Sequence, residues 1–165
     1  MAKTNLKFFT ITDNYVNFLR NIEPKIQRNY AKPQIRPYIG VILTMGIHQY
    51  FAPLSSYKEA KHGKINNNTV FKIHNRNNTK KLAVIHLNNM FPIIPSEIET
   101  IDFNQQEAKY RNLLRDEYRF VIQNQEAIRD RAEKLYNDVI SGDKFYSKYS
   151  CDFAKLENEY TKFVN

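Results

Sequence analysis

Tryptophan is absent from this 165-residue sequence, cysteine occurs once and glycine four times. A lone thiol, Cys151, excludes an internal disulfide and a thiolate zinc cluster. With so few glycines there is no glycine-rich phosphate loop, which speaks against nucleoside triphosphate chemistry. The longest apolar run, residues 38–43, already contains Gly40, far short of the ~18 residues of a membrane span. Residues 1–7 lack the apolar segment of a signal peptide. The four histidines share no metal-ligand spacing, so neither a metal nor a cofactor is expected. These absences describe a soluble, cytoplasmic protein with no membrane partner.

Acids are the scarcest class in the first part of the chain. Residues 1–96 hold 14 Lys and Arg against three acids (Asp13, Glu23, Glu59), a net +11. Residues 97–165 hold 11 against 14, a net −3. A charge of +11 over that length repels itself unless a polyanion is a normal partner. Phe and Tyr number 22, and Tyr15, Tyr30, Tyr38, Tyr50 and Tyr57 are interleaved with the cations. Aromatic faces beside cationic heads suit single-stranded nucleic acid, where bases stack and phosphates pair. That reading is preferred to the plainer one of core aromatics with a solubilising Lys excess.

The chain is expected to be a single domain over residues 1–165. Residues 1–103 would form a basic β part with a short N-terminal helix, and 104–165 a helical part packed on it. Residues 7–11 predict a strand, Thr12 or Asp13 an N-cap, and Tyr15, Phe18, Leu19 and Ile22 a short amphipathic helix ended by Pro24. Residues 24–37 carry three prolines and the cations Lys25, Arg28, Lys32 and Arg36, a basic loop. Residues 38–43 and 47–52 predict a hairpin across Met45-Gly46, stopped by Pro53. Residues 69–73, 82–87 and 98–103 predict three more strands. Six short strands suggest a small antiparallel barrel. Beyond them, two apolar stripes predict helices separated at Asn124: Tyr110, Leu113, Leu114, Tyr118, Val121 and Ile122, then Ile128, Ala132, Leu135 and Val139. Gly142 ends the second, and Asp152 caps a last helix. His86, alternating within its strand, reads as a sheet-face residue.

The densest polar cluster is Ser55-Ser56-Tyr57-Lys58-Glu59-Ala60-Lys61-His62. By spacing alone it reads first as an ordinary turn with solvated Lys and His. Its second reading is a phosphate site: hydroxyls for phosphate oxygens, with Lys58, Lys61 and His62 bringing charge and proton transfer, as metal-free phosphodiester cleavage requires.

Several stretches occur in a familiar order: 7–11 followed by Tyr15; Arg36-Pro37-Tyr38-Ile39-Gly40-Val41; His48-Gln49-Tyr50-Phe51-Ala52-Pro53-Leu54-Ser55-Ser56 with Lys58 and His62; 88–93; and 151–157. Together they resemble the ToxN/AbiQ family, endoribonuclease toxins of type III toxin–antitoxin and phage abortive-infection systems. The resemblance implies an α+β fold, an SH3-like (MazF/PemK-type) barrel with added, mostly C-terminal helices. It implies metal-independent cleavage of mRNA, at A-rich sites, by 2′-OH attack, leaving a 2′,3′-cyclic phosphate and a 5′-OH. It also implies an antitoxin RNA of repeat-derived pseudoknots, joined with the toxin in a closed ring such as 3:3. Residue by residue, Ser56 matches the serine on which the family most relies and Ser55 its Thr/Ser neighbour. Arg36 matches a basic residue beside the barrel strand, Tyr15 an active-site tyrosine, and Lys58 and His62 a basic loop. Tyr57 departs from the Pro or basic residue of the pattern, and Tyr30 stays outside the catalytic set. RNA binding falls to Arg28, Lys32, Arg36, Tyr57, Lys58, Lys61 and Lys64. Two other classes remain open from the sequence: a non-catalytic RNA-binding protein, and a barrel that seizes a protein partner such as gyrase.

Overall fold

The computed structural model describes residues 4–164. Its elements are β1 (Lys7–Ile11), α1 (Asp13–Ile22), β2 (Tyr38–Met45), β3 (His48–Ser56), α2 (Glu59–His62), β4 (Val70–His74), β5 (Lys81–His86), β6 (Phe91–Pro92), β7 (Ile98–Thr100), α3 (Ala108–Gln123), α4 (Gln125–Ile140), α5 (Lys144–Tyr149) and α6 (Phe153–Glu159). The fold is α+β: one antiparallel sheet, with four of the six helices after it. Local chemistry sets the boundaries. Thr12 accepts the Tyr15 N–H to cap α1. Gly142, at φ +89°, ends α4. Asp143 and Asp152 cap α5 and α6 through the N–H groups of Tyr146 and Lys155. No helix among the described residues is long and apolar enough to cross a membrane.

The strand order is β4-β5-β3-β2-β1-β7, with β6 paired to β3 off this path. No ladder joins β4 to β7 among the described residues, so the sheet stays open where a closed barrel was expected. The β2–β3 hairpin turns at Gly46-Ile47, one residue later than expected, with Met45 opposite His48. Gly46 supplies the positive φ of +61° that the tight turn needs. Pro53 does not stop the pairing. It faces Tyr38 in the β2 ladder, and Leu54 still donates to the Pro37 carbonyl on that side; along the opposite edge β3 passes from β6, at Tyr50 and Phe51, to β5 from Leu54 onwards. The missing N–H of Pro53 falls where β3 changes partner, so no ladder bond is lost. Ser55 and Ser56 are therefore paired strand residues, opposite Val84 and Ala83, and not a turn.

The core runs through both halves. Phe8, Tyr15, Tyr38, Tyr50, Phe51 and Phe91 from the first part and Leu114, Ile128, Leu135, Phe153 and Leu156 from the second are buried together. The halves are also tied by polar contacts. Glu157 accepts hydrogen bonds from the hydroxyls of Tyr50 (2.6 Å) and Tyr136 (2.7 Å). Glu23 accepts the N–H groups of Lys25 and Asp152, pinning the basic loop to the start of α6.

Gly40 sits where β2 and β3 slip register, between Ile39 and Leu43, and a Cβ there would run into the Phe51 ring. Overpacking of that kind costs about 1–3 kcal/mol. Gly40→Ala should lower the unfolding free energy by that amount in an equilibrium unfolding experiment, seen as a lower denaturant midpoint with an unchanged m-value.

Candidate functional site

The end of β3, the basic loop 24–37 and the start of α3 enclose one cleft. Its lining includes Ser55, Ser56, Lys58, Tyr30, Tyr110 and Glu117, and its volume is about 650 Å³. Strand pairing presents the two serines at its rim. The Ser56 hydroxyl makes no hydrogen bond among the described residues, whereas Ser55 Oγ shares one of 2.6 Å with His86 Nε2. Ser55 faces Val84, so His86, two residues further along β5, comes to the same face of the sheet as Ser55.

His86 is buried. Burial first, then the neighbouring His62 and Arg36, brings its pKa down to about 4. The ring is therefore neutral at pH 7. Next to it lies His62, with ring centroids 5.7 Å apart. His62 Nδ1 accepts the Lys58 N–H at 2.8 Å. That bond assigns the His62 proton to Nε2 in the neutral ring. Burial, then Lys61 and Lys72, pushes its pKa below the ordinary histidine value. The two histidines form a neutral layer beneath Ser55 and Lys58, and His62 holds the backbone from which Lys58 extends.

Arg36 is buried except for 8 % of its surface. Its Nη1 donates to the Leu54 carbonyl (3.2 Å), its Nε donates to the Arg28 carbonyl (3.0 Å), and its guanidinium lies 4.1 Å from the Tyr30 ring centre. It thus staples the basic loop to β3 one residue before Ser55. Its side chain lines an adjoining hollow with Lys32 and Asn29; the two hollows share Tyr30, Gln34 and Ile35. So Ser55, Ser56 and Lys58 share the cleft, and Arg36 stands beside it.

Tyr15 stands apart. It is fully buried, its hydroxyl donates to the Pro92 carbonyl at 2.6 Å, and its ring packs against Phe18, Phe91 and Phe163. A side chain spent in this way reaches no ligand, and the active-site expectation for it is corrected to a core residue. Among the other expected RNA contacts, Arg28, Lys32, Lys61 and Lys64 are exposed. The Tyr57 hydroxyl donates to Glu59, and its ring lies 5.2 Å from Lys81 Nζ.

Two residues that line the cleft, Tyr30 and Glu117, and His86 behind Ser55 were not expected at the site. Tyr30 is brought in by the loop, under Arg36. His86, read as a sheet-face residue, turns inward to Ser55, and only strand register reveals that. Glu117 carried a visible signal: it lies three residues after Leu114 and four before Val121, an acid on a buried stripe. It is 4 % exposed. Burial, with help from Asp116, pushes its carboxyl up to about 8. Among the described residues no group of three or more His, Cys, Asp or Glu is placed to hold a metal ion.

Two serines and a lysine in an aromatic-walled cleft, with a fixed guanidinium beside it, can hold a phosphate. Comparison with known proteins agrees on lineage. The family model for toxin ToxN of type III toxin–antitoxin systems matches residues 7–161. The chain belongs to the ToxN family. It is 33 % identical to endoribonuclease ToxN of Bacillus thuringiensis subsp. kurstaki, over 95 % of this chain and 84 % of that one. It is 30 % identical to endoribonuclease AbiQ of Lactococcus lactis subsp. lactis, over 99 % of this chain and 92 % of the relative. The solved structure of AbiQ, a lactococcal anti-phage endoribonuclease of a type III system, superposes with a TM-score of 0.87 at 28 % identity, covering 96 % of this chain and 98 % of that one. A second, from work on selective toxin inhibition by a non-coding RNA pseudoknot, gives a TM-score of 0.88 at 30 % identity, covering 96 % and 98 %.

Glu117 gives this site a pH-dependent stability. Its carboxyl binds a proton more tightly folded than unfolded, so the fold loses stability as pH rises from about 4.5 to about 8 and loses no more above that. Glu117→Gln should abolish the penalty. Its melting temperature should match the wild type near pH 4.5 and exceed it increasingly up to pH 8, with up to about 3 kcal/mol of difference at pH 7. A gap that does not change with pH would contradict this.

Proposed function

We propose that this protein is the endoribonuclease toxin of a type III system, acting on mRNA in the cytoplasm and held in check by an RNA antitoxin. What carries the reading is the shared cleft of Ser55, Ser56 and Lys58, in a chain that matches curated endoribonucleases over nearly its whole length. The reaction is 2′-OH attack on the adjacent phosphate without a metal, giving a 2′,3′-cyclic phosphate and a 5′-OH, at A-rich sites. Ser56, whose hydroxyl is uncommitted, donates to a non-bridging phosphate oxygen. Ser55 does the same from a position fixed by His86, its Oγ accepting from the Nε2–H tautomer of that ring. Lys58 neutralises the charge that develops on the phosphoryl oxygens, and the buried Arg36 adds a positive field from behind the strand. His62 acts through the Lys58 backbone as a positioning residue. The kinship to SH3-like, MazF/PemK-type barrels belongs to the same proposal, supported by the way β3 passes from one set of partners to another at Pro53.

The antitoxin is a pseudoknot-forming RNA that clamps the face carrying Arg28, Lys32, Lys61 and Lys64, and it closes a ring with the toxin, such as 3:3. The support is the net +11 of residues 1–96 and the pseudoknot inhibition reported for a structural relative.

Ser56→Ala should slow cleavage of a short RNA by about 10²-fold, the usual loss for one donor to a developing anion. Wild-type cleavage should be unaffected by a chelator, and its products should carry a cyclic phosphate. A Ser56→Ala protein that cuts at the wild-type rate, or products with a 3′-OH, would overturn the reading. Binding of the antitoxin RNA should weaken steeply with salt, log K against log[salt] having a slope of about −0.7 for each phosphate neutralised on a single strand. Replacing Lys61 and Lys64 by Gln should reduce that slope by about 1.4; an unchanged slope would remove both residues from the interface.

A further inference from the structure

Glu117 is a carboxyl buried on the inward stripe of α3, and no hydrogen bond or ion pair holds it among the described residues. It lines the same cleft as Ser55, Ser56 and Lys58. A buried polar group without a partner costs a fold stability, the more so if charged. The neighbouring walls are Tyr30, Tyr110, Ile35 and Leu113, flat or apolar surfaces that suit the face of a nucleobase. Ser55, Ser56 and Lys58 enter the same cleft from the end of β3 and the segment after it, where they suit a phosphate.

We propose that Glu117 is a specificity-determining residue, which reads the donor–acceptor edge of a nucleobase next to the phosphate held at Ser55 and Ser56. This inference rests on the endoribonuclease reading above. The chemistry of the edge follows from the state of the acid. At neutral pH the buried carboxyl is protonated, so it offers one O–H donor and one C=O acceptor side by side. A glutamine amide offers the same pair, and that pair fits adenine, donating to a ring nitrogen and accepting from N6–H. An ionised carboxylate offers acceptors alone and suits a base edge that presents donors, such as cytosine N4–H. The cleft therefore prefers adenine at neutral pH and loses that preference as Glu117 ionises.

The titratable groups around the acid are Asp116 and Tyr110 on its own helix, Glu107 just before that helix, and Tyr30 and Lys58 across the cleft. Of the elements packed on α3, β4 brings Lys72 and His74, which line a separate hollow with Phe120 and Arg131. No charged residue of α4 or of the turn at Phe103–Gln105 lines the cleft.

The test is equilibrium binding of short oligoribonucleotides made uncleavable by a single 2′-deoxy sugar before the scissile phosphate. The base on each side of that phosphate is varied among A, C, G and U in turn, at pH values from 6 to 9. The wild-type protein should prefer adenine at one of these positions by about 10- to 100-fold at pH 7, and the preference should fall above pH 8. Glu117→Ala should lose the preference. Glu117→Gln should restore it and hold it constant up to pH 9, because the amide does not titrate. The inference is overturned by no adenine preference in the wild type, by a Glu117→Ala protein that keeps it, or by a Glu117→Gln protein that declines with pH like the wild type. Cleavage assays on the matching all-ribose RNAs separate the two readings. A wild type that binds with this Glu117-dependent preference but never cuts refutes the endoribonuclease reading and leaves Glu117 in its role.

Discussion

The ladder between the last three residues of β3 and β5 is the contact on which the site depends. It holds Ser55 and Ser56 in extended backbone at the mouth of the cleft. It also puts His86 on the same face as Ser55, where the 2.6 Å hydrogen bond fixes the serine hydroxyl. Proline makes the arrangement possible. A residue with an N–H at position 53 would carry a donor with no ladder partner just where that edge of the strand passes from β6 to β5. On the other side, the Leu54 carbonyl anchors Arg36, and Arg36 in turn anchors the basic loop that carries Tyr30. One short stretch of strand thereby orders side chains from three separate segments.

The electrostatics of the cleft divide the same way. Its positive charge comes from Lys58 at the rim and from Arg36 behind it. The groups that could titrate there are held neutral by burial: His62 and His86 unprotonated, Glu117 protonated. In the proposed function, this neutral interior beneath a cationic rim lets a phosphate be bound by fixed charges, while the walls stay apolar enough to accept bases.

Much of this was legible in the sequence, and the failures have physical causes. Helix stripes, caps and strand runs are local signals, and they placed α1, α3, α4, α6, the β2–β3 hairpin and the strands β4 and β5 near their observed bounds. The charge asymmetry between the two parts of the chain pointed to a polyanionic partner, which the proposed function takes up. Tyr15 was misplaced because nothing in a short amphipathic helix says which of its aromatics faces a site and which faces the core. Pro53 was read as a stop because a strand that changes partners satisfies a rule, no unpaired donor, that a sequence alone can apply only as an ending. His86 needs register across two strands 31 residues apart, which no local pattern contains. Glu117 was visible as an acid interrupting an apolar stripe, but the stripe was followed through its hydrophobic members alone.

The central claim is that a phosphate of the substrate sits against the end of β3. The most direct measurement is a crystal structure with an uncleavable 2′-deoxy-substituted oligoribonucleotide bound. It should place the phosphate next to the deoxy sugar within hydrogen-bond distance of Ser56 Oγ and Lys58 Nζ, with a flanking base between the Tyr30 and Tyr110 walls. A phosphate lodged elsewhere, with the cleft at Ser55 and Ser56 left empty, would contradict the account.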